Sequence, residues 1–324
     1  MLTQVINNRK PNVLTIEFML GNFCNYKCNY CFPGSNEGDH PWPDVNLLIK
    51  NTRHLLDTYK QQGKTKFEFY LVGGEPTLWK QLPTYCKFLK KNYDVTIRIS
   101  TNGSRSVNWW RQHAKLFDVV EISVHHEFAR ASHIIEVGDA LYRERTNLVA
   151  NVLMDPPHFD KCRDILEQLK TSDKRWPIVA KWVHFNGESR YTSEQTRYLE
   201  KPLKRWPNLL WWFTLKHHEH FKMWVLEDGK KKRVADNWLT LHNKNRFKGW
   251  QCNLGVDHIE IFQTGRIAGS CRERIYNIDF YHNLYDKDFV SKFNPIIGPV
   301  ICGKDICECG FETTLNKVIP IQVV

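Results

Sequence analysis

The sequence predicts an α/β chain: a parallel (β/α) barrel over residues 1–200, a connecting segment with a β-hairpin over 201–250, and a small domain over 251–324. Three observations predict it. Strand-like apolar runs recur through the first 125 residues, and each ends in glycine or short polar residues before a helical stretch begins. The ten cysteines fall mainly into two groups, Cys24, Cys28 and Cys31 near the start and Cys252, Cys271, Cys302, Cys307 and Cys309 near the end. At 324 residues the chain suits about two domains. A barrel of parallel strands carries its site at the C-terminal strand ends, so the residues after each run are the ones to read.

The first run, Val13–Leu20, ends at Gly21 and Asn22 and leads into Cys24-Asn-Tyr-Lys-Cys28-Asn-Tyr-Cys31. Pro33–Pro43, rich in turn residues, follows as an expected mobile flap. The second run, Thr65–Val72, continues into Gly73-Gly74-Glu75-Pro76. Glycines there let a ligand approach the backbone, and Glu75 offers an acceptor for an ammonium group. The third, Val95–Ser100, ends in Ser100-Thr101-Asn102-Gly103, short side chains placed to hydrogen-bond ribose hydroxyls or a carboxylate. The fourth, Val119–Val124, leads from Ser123 to His125, His126 and Glu127, candidates for substrate contact. Cys86 and Cys162 stand alone in helical stretches and read as small buried hydrophobes.

Three thiolates within eight residues can converge on one inorganic centre. They cannot easily pair with each other, because a disulfide needs particular separations and one thiol would be left over. A closed zinc site wants a fourth ligand, and none follows in register. A [4Fe–4S] cube held by three thiolates keeps one iron open for an exogenous ligand.

The C-x3-C-x2-C triplet with Tyr30 beside its last cysteine, GGEP after the second strand and STNG after the third resemble the radical S-adenosylmethionine superfamily over roughly residues 10–200. The resemblance implies a partial (β/α)6 barrel in which Cys24, Cys28 and Cys31 ligate the [4Fe–4S] cluster. The open iron would take the amino and carboxylate groups of S-adenosyl-L-methionine. Tyr30 would lie against the adenine, and the segment Gly73, Gly74 and Glu75 would receive the methionine ammonium. Ser100, Asn102 and Ser123 would lie near its carboxylate or ribose, with an adenine contact near Asn151–Met154. The family cleaves the cofactor reductively and abstracts hydrogen from a substrate carbon, the cofactor carrying the hard chemistry.

Towards the end, Cys252 and Cys271 bracket a predicted hairpin, His258–Phe262 and Arg266–Ala268 around Gln263-Thr264-Gly265, and Cys302, Cys307 and Cys309 follow. The arrangement resembles a twitch domain, the shortened relative of the SPASM domain, which implies an auxiliary [4Fe–4S] cluster. Five cysteines compete for four places; Cys252 and Cys271 with two of the other three is the expected set. A zinc ribbon is the alternative. In the connecting segment, Met223–Leu226 and Arg233–Asp236 read as a hairpin with Lys230–Arg233 as a charged tip, and Leu209–Leu215 as a buried strand. His217, His218 and His220 read as a surface cluster, and Trp206, Trp211, Trp212, Trp224 and Trp238 as core or cleft.

Composition bounds the rest. No apolar run approaches the roughly 20 residues of a membrane helix, and nothing at the start resembles a signal peptide, so a cytoplasmic address is expected. The net charge of +11 suits phosphate-rich partners or a small acidic electron donor such as a flavodoxin or ferredoxin. The expected function is a radical enzyme acting on a peptide or protein side chain. Small-molecule dehydrogenation or rearrangement and RNA modification are alternatives, and a binding module with structural clusters is the reading from another class.

Overall fold

The computed structural model describes residues 1–7, 10–31, 33–172, 176–183, 188–200, 222–235, 238–268, 282–295, 298–303, 305–307 and 315–320. Cys271, Cys309, His217, His218, His220, Trp206, Trp211, Trp212 and the expected strand Leu209–Leu215 lie outside the described residues.

Six strands, β2 (Val13–Met19), β3 (Lys66–Val72), β4 (Val95–Thr101), β5 (Val119–Val124), β6 (Asn147–Met154) and β7 (Ile178–Trp182), pair in sequence order, all parallel. Each is followed by a helix: α1 (Val45–Gln61), α2 (Leu82–Asn92), α3 (Val107–His113), α4 (Ala131–Arg143), α5 (Phe159–Ser172) and α6 (Ser193–Leu199). This is the layout of a partial (β/α)6 barrel. Strands covered by helices need near-continuous apolar runs, and Leu14, Ile16, Phe18, Phe67, Phe69, Leu71, Ile97, Ile99, Val120 and Ile122 supply them.

The helices start and pack for local reasons. The Asp44 carboxylate accepts from the Leu47 N–H and caps α1. Leu48, Thr52, Leu55, Leu56 and Tyr59 then form its buried stripe at helical spacing. Cys86 on α2 and Cys162 on α5 are fully buried.

The sheets do not follow the boundaries at 200 and 250. The N-terminal strand β1 (Leu2–Ile6), expected in the barrel, belongs to a second sheet of order β14-β10-β15-β1-β8-β9. Its other members are β8 (Lys222–Glu227), β9 (Lys230–Ala235), β10 (Gln251–Cys252), β14 (Val300–Ile301) and β15 (Lys317–Val318). Conversely, β11 (His258–Ile261) pairs in parallel with β2, and β12 (Arg266–Ala268) and β13 (His282–Asn283) extend that edge. The hairpin assigned to the C-terminal domain thus continues the barrel sheet. Two buried polar side chains hold that junction. The Asn51 amide on α1 donates to the carbonyls of Leu284 (2.8 Å) and Asp286 (2.7 Å), and the Lys64 ammonium reaches Asp257 Oδ1 at 2.9 Å.

The β8–β9 hairpin turns at Asp228 and Gly229, both at positive φ. Lys230–Arg233 form its returning strand rather than its tip, and Lys232 pairs with Glu227 at 2.9 Å. No helix among the described residues is long and apolar enough to cross a membrane.

Candidate active site

The cysteine loop leaves β2 and is clamped at once by the strand beside it. Gly74 N–H donates to the Gly21 carbonyl (2.9 Å) and Glu75 N–H to the Phe23 carbonyl (2.7 Å). A Cβ on Gly73, whose φ is +132°, would meet Gly21 O at 2.4 Å, and one on Gly74 would meet Phe23 O at 2.3 Å. Both glycines are therefore required by the cysteine loop's own backbone. The structure adds this backbone contact to the ligand approach expected of the two glycines, which also line the cavity.

Asn22 pins the far side of the loop. Its amide nitrogen donates to Gly34 O at 3.0 Å and to Asp39, while its oxygen accepts from His40 N–H at 3.0 Å. The expected flap over Pro33–Pro43 is thus hydrogen-bonded at Gly34, Asp39 and His40 to Asn22, two residues before Cys24.

Cys24, Cys28 and Cys31 open onto one cavity of about 170 Å3. It is also lined by Gly73, Gly74, Ser100, Asn102, Ser123 and His125 from the ends of β3, β4 and β5. Thr101 from the same polar strand end shares the lining, as do Tyr26, Ser35 and Asn36, which the sequence did not single out. Cys24 Sγ accepts from Tyr26 N–H at 3.3 Å, and Cys28 Sγ lies 3.3 Å from His125 Nδ1. Burial, then the nearby negative charge of Glu127 and the other two cysteines, pushes the Cys28 thiol up to about 12. Burial pushes Cys24 up as well. Buried thiols gathered at one cavity ionise together only when a cation joins them, and three thiolates on one loop are a ligand set for a metal centre. The donor set fits a [4Fe–4S] cluster.

Glu75 is turned away from the cavity. It is fully buried, and its Oε1 accepts from Thr77 N–H (3.1 Å), Thr77 Oγ1 (2.6 Å) and Thr101 Oγ1 (2.7 Å). Its Oε2 accepts from Asn102 N–H at 2.6 Å. Burial raises its carboxyl against those four donors. The side chain expected to receive an ammonium instead ties the end of β3 to the end of β4, which sets where Asn102 stands.

Tyr30, expected against adenine, packs near His125 (ring centroids 5.8 Å) and His126 (5.7 Å), and its hydroxyl lies 3.1 Å from His125 Nδ1. Burial and the neighbouring His126 lower His125 to about 4, so it is neutral near pH 7. His126 is buried against Asp155 at 3.3 Å, away from the cavity lining. Glu127 accepts from Asn29 N–H at 3.1 Å and so braces the cysteine loop.

Beneath the cavity lies a polar layer that the sequence reading missed. Tyr70, Arg98 and Glu121 sit two residues before Val72, Ser100 and Ser123, hence on the same face of their strands. Arg98 and Glu121 form a buried ion pair, and Tyr70 donates to Glu121 at 3.2 Å. The alternation in Phe67–Val72, Val95–Ser100 and Val119–Val124 was the signal that could have found it.

In the second sheet, Cys252 ends β10, and Cys302 N–H donates to Trp250 O (2.7 Å) just before it. Cys307 N–H donates to Asn245 O at 2.8 Å. All three are buried, and burial raises the Cys252 thiol, with Cys307 and Cys302 close enough to raise it further.

The family model of the radical SAM superfamily matches residues 18–153. The GTP 3',8-cyclase of Edwardsiella ictaluri is 29% identical over 120 residues, 36% of this chain and 35% of that protein. That of Actinobacillus succinogenes is 32% identical over 101 residues, 28% of this chain and 27% of its own length. The chain spans about a third of the length of the curated relatives it matches. Among solved structures, a histidine-tagged anSMEcpe with bound AdoMet superposes with a TM-score of 0.52 at 14% identity, covering 87% of this chain and 81% of that one, a likeness of fold. Residues 18–153 thus match the radical SAM superfamily, and the thiol-lined cavity lies at the strand ends of that matched region.

Proposed function

We propose that the protein cleaves S-adenosylmethionine reductively at this cavity and abstracts hydrogen from a small-molecule substrate. The carrying observation is that Cys24, Cys28 and Cys31 share one cavity with Gly73, Gly74, Ser100, Asn102 and Ser123. When bound, the cluster and cofactor supply one-electron cleavage of a sulfonium C–S bond and the hydrogen-abstracting power. The chain's residues bind and orient. The three cysteines hold the cluster, the Gly73–Gly74 backbone lies beside it for the methionine ammonium, and Asn102 serves the carboxylate. The Ser100 and Ser123 hydroxyls, 3.4 Å apart, suit ribose. His125, neutral, stands between the cluster site and Tyr30.

A second [4Fe–4S] cluster on Cys252, Cys302 and Cys307, completed by Cys271 or Cys309, is part of the proposal. It rests on three buried thiols, Cys252 on the second sheet and Cys302 and Cys307 in the chain after β14. The peptide reading takes second place to a nucleotide-class small molecule, because the curated relatives matched are named for GTP. The +11 charge is compatible with a phosphorylated substrate and with an acidic flavodoxin or ferredoxin as electron donor.

The test is 5'-deoxyadenosine release by cluster-loaded, reduced protein offered the low-mass filtrate or the macromolecular retentate of a cell extract, with GTP as a defined probe. Stimulation by the filtrate supports the proposal. Stimulation confined to the retentate and lost on protease treatment returns the substrate to a peptide, and loss on RNase treatment makes it RNA. No release under any condition sinks the enzymatic reading.

A further inference from the structure

Outside the cavity, the ends of β5 and β6 bring His126, Asp155 and His158 together. Nε2 of His126 lies 3.3 Å from Asp155 Oδ2, and Nδ1 of His158 lies 2.7 Å from the same oxygen. The three donor atoms all fall within 4.8 Å of one another. We propose that His126, Asp155 and His158 form a mononuclear divalent-metal site, most suited to Zn2+, distinct from the cysteine sites.

Three arguments carry it. The first is geometric: metal–ligand bonds of about 2.0–2.1 Å around a tetrahedron place neighbouring donors about 3.3 Å apart. The His126–Asp155 separation already has that value, and His158 needs to open by about 0.6 Å. The second is electrostatic. The Asp155 side chain is 7% exposed, and among the described residues its ion-pair partners are these two histidines, with no lysine or arginine. A buried carboxylate needs a compensating cation. A divalent ion supplies one while leaving both imidazoles neutral, the form that ligates. The third is the donor chemistry. Two imidazole nitrogens and a carboxylate are a borderline set that suits zinc or ferrous iron over calcium or magnesium. The His158 side chain is 54% exposed, so ions have an entry path and a fourth position can be filled by water.

The site would do structural work for the cavity next door. His126 packs on Tyr30 and on His158 (ring centroids 5.7 and 4.7 Å), and Tyr30 packs on His125 beside Cys28. An ion joining the ends of β5 and β6 would hold that column of rings in register. None of its three ligands lines the cavity, so the inference stands apart from the reading of the function.

The experiment measures zinc and iron together on cluster-loaded protein dialysed against Zn2+, with zinc X-ray absorption to identify its ligands. The expected result is one zinc per chain with nitrogen and oxygen ligands only. His158→Gln, a change at a half-exposed residue, should weaken zinc binding at least about tenfold with iron content unchanged, and Asp155→Asn should do the same. The idea is overturned if wild type takes up no zinc. It is also overturned if the zinc shows sulfur at about 2.3 Å, placing it on the cysteines, or if His158→Gln binds it as tightly as wild type. In the first case the cluster is two N–H···O bonds to one carboxylate oxygen. Retained 5'-deoxyadenosine release would show that the cavity reading survives.

Discussion

Gly74 and Phe23 are in backbone contact so close that a methyl group on Gly74 would stand 2.3 Å from the Phe23 carbonyl oxygen. The cysteine triplet begins at the next residue, so the end of β3 positions the first thiol through this contact. Gly74→Ala should force the loop outward. Overpacking of this kind costs about 1–3 kcal/mol, and on the proposed function the iron taken up per chain should fall. Iron content and the electron paramagnetic resonance of the reduced protein check it. A fully loaded Gly74→Ala cluster would show that the contact is not needed.

Glu75 accepts four hydrogen bonds with no exposure. Glutamine is nearly isosteric, yet its NH2 must face at least one of those donors whichever way the amide turns. Leaving a buried donor unmet costs about 1–3 kcal/mol. Glu75→Gln should lower denaturation stability by that amount and loosen Asn102 at the end of β4. Unchanged stability would mean the carboxyl is already protonated in the folded protein.

Val5 is 1% exposed at the middle of the second sheet, where β1 joins β8 to β15. Val5→Asp buries a charge with no partner in that small core and should detach the strand. Hydrogen exchange should then quicken in β8, β9 and β15, while β3, β4 and β5 keep wild-type protection. Equal loss in both sheets would show that they unfold as one unit.

Hydrogen bonds from Lys244 and Lys232 hold the Glu227 carboxyl low, at about 2. A carboxyl lowered on folding adds stability that is complete above about 4.5 and is lost as pH falls from there towards 2. The difference in melting temperature between wild type and Glu227→Gln should therefore be largest above pH 5 and shrink steadily below it. A difference independent of pH would mean that packing, not charge, is what the substitution removes.

The strands of the barrel were legible because helices cover them: Val13–Met19, Lys66–Val72, Val95–Thr101 and Val119–Val124 are close to the apolar runs read from the sequence. The thiol triplet was legible because its chemistry is local, three ligands within eight residues. Strands of two to five residues carry too short a period to announce their partners. Nothing in Leu2–Ile6 says that it pairs with residues near 226 and 318, and nothing in His258–Ile261 says that it lies parallel to Thr15–Phe18.

The sequence by itself thus determined the parallel sheet, the three cysteines and the polar strand ends around them, since each is written in neighbouring residues. Tertiary structure alone decided that Glu75 faces inward, that Tyr30 packs against His125 and His126, and that Asp155 meets two histidines. Those outcomes depend on which distant backbone groups need a donor, an acceptor or a compensating charge once buried. That demand arises only when the strands have been brought side by side.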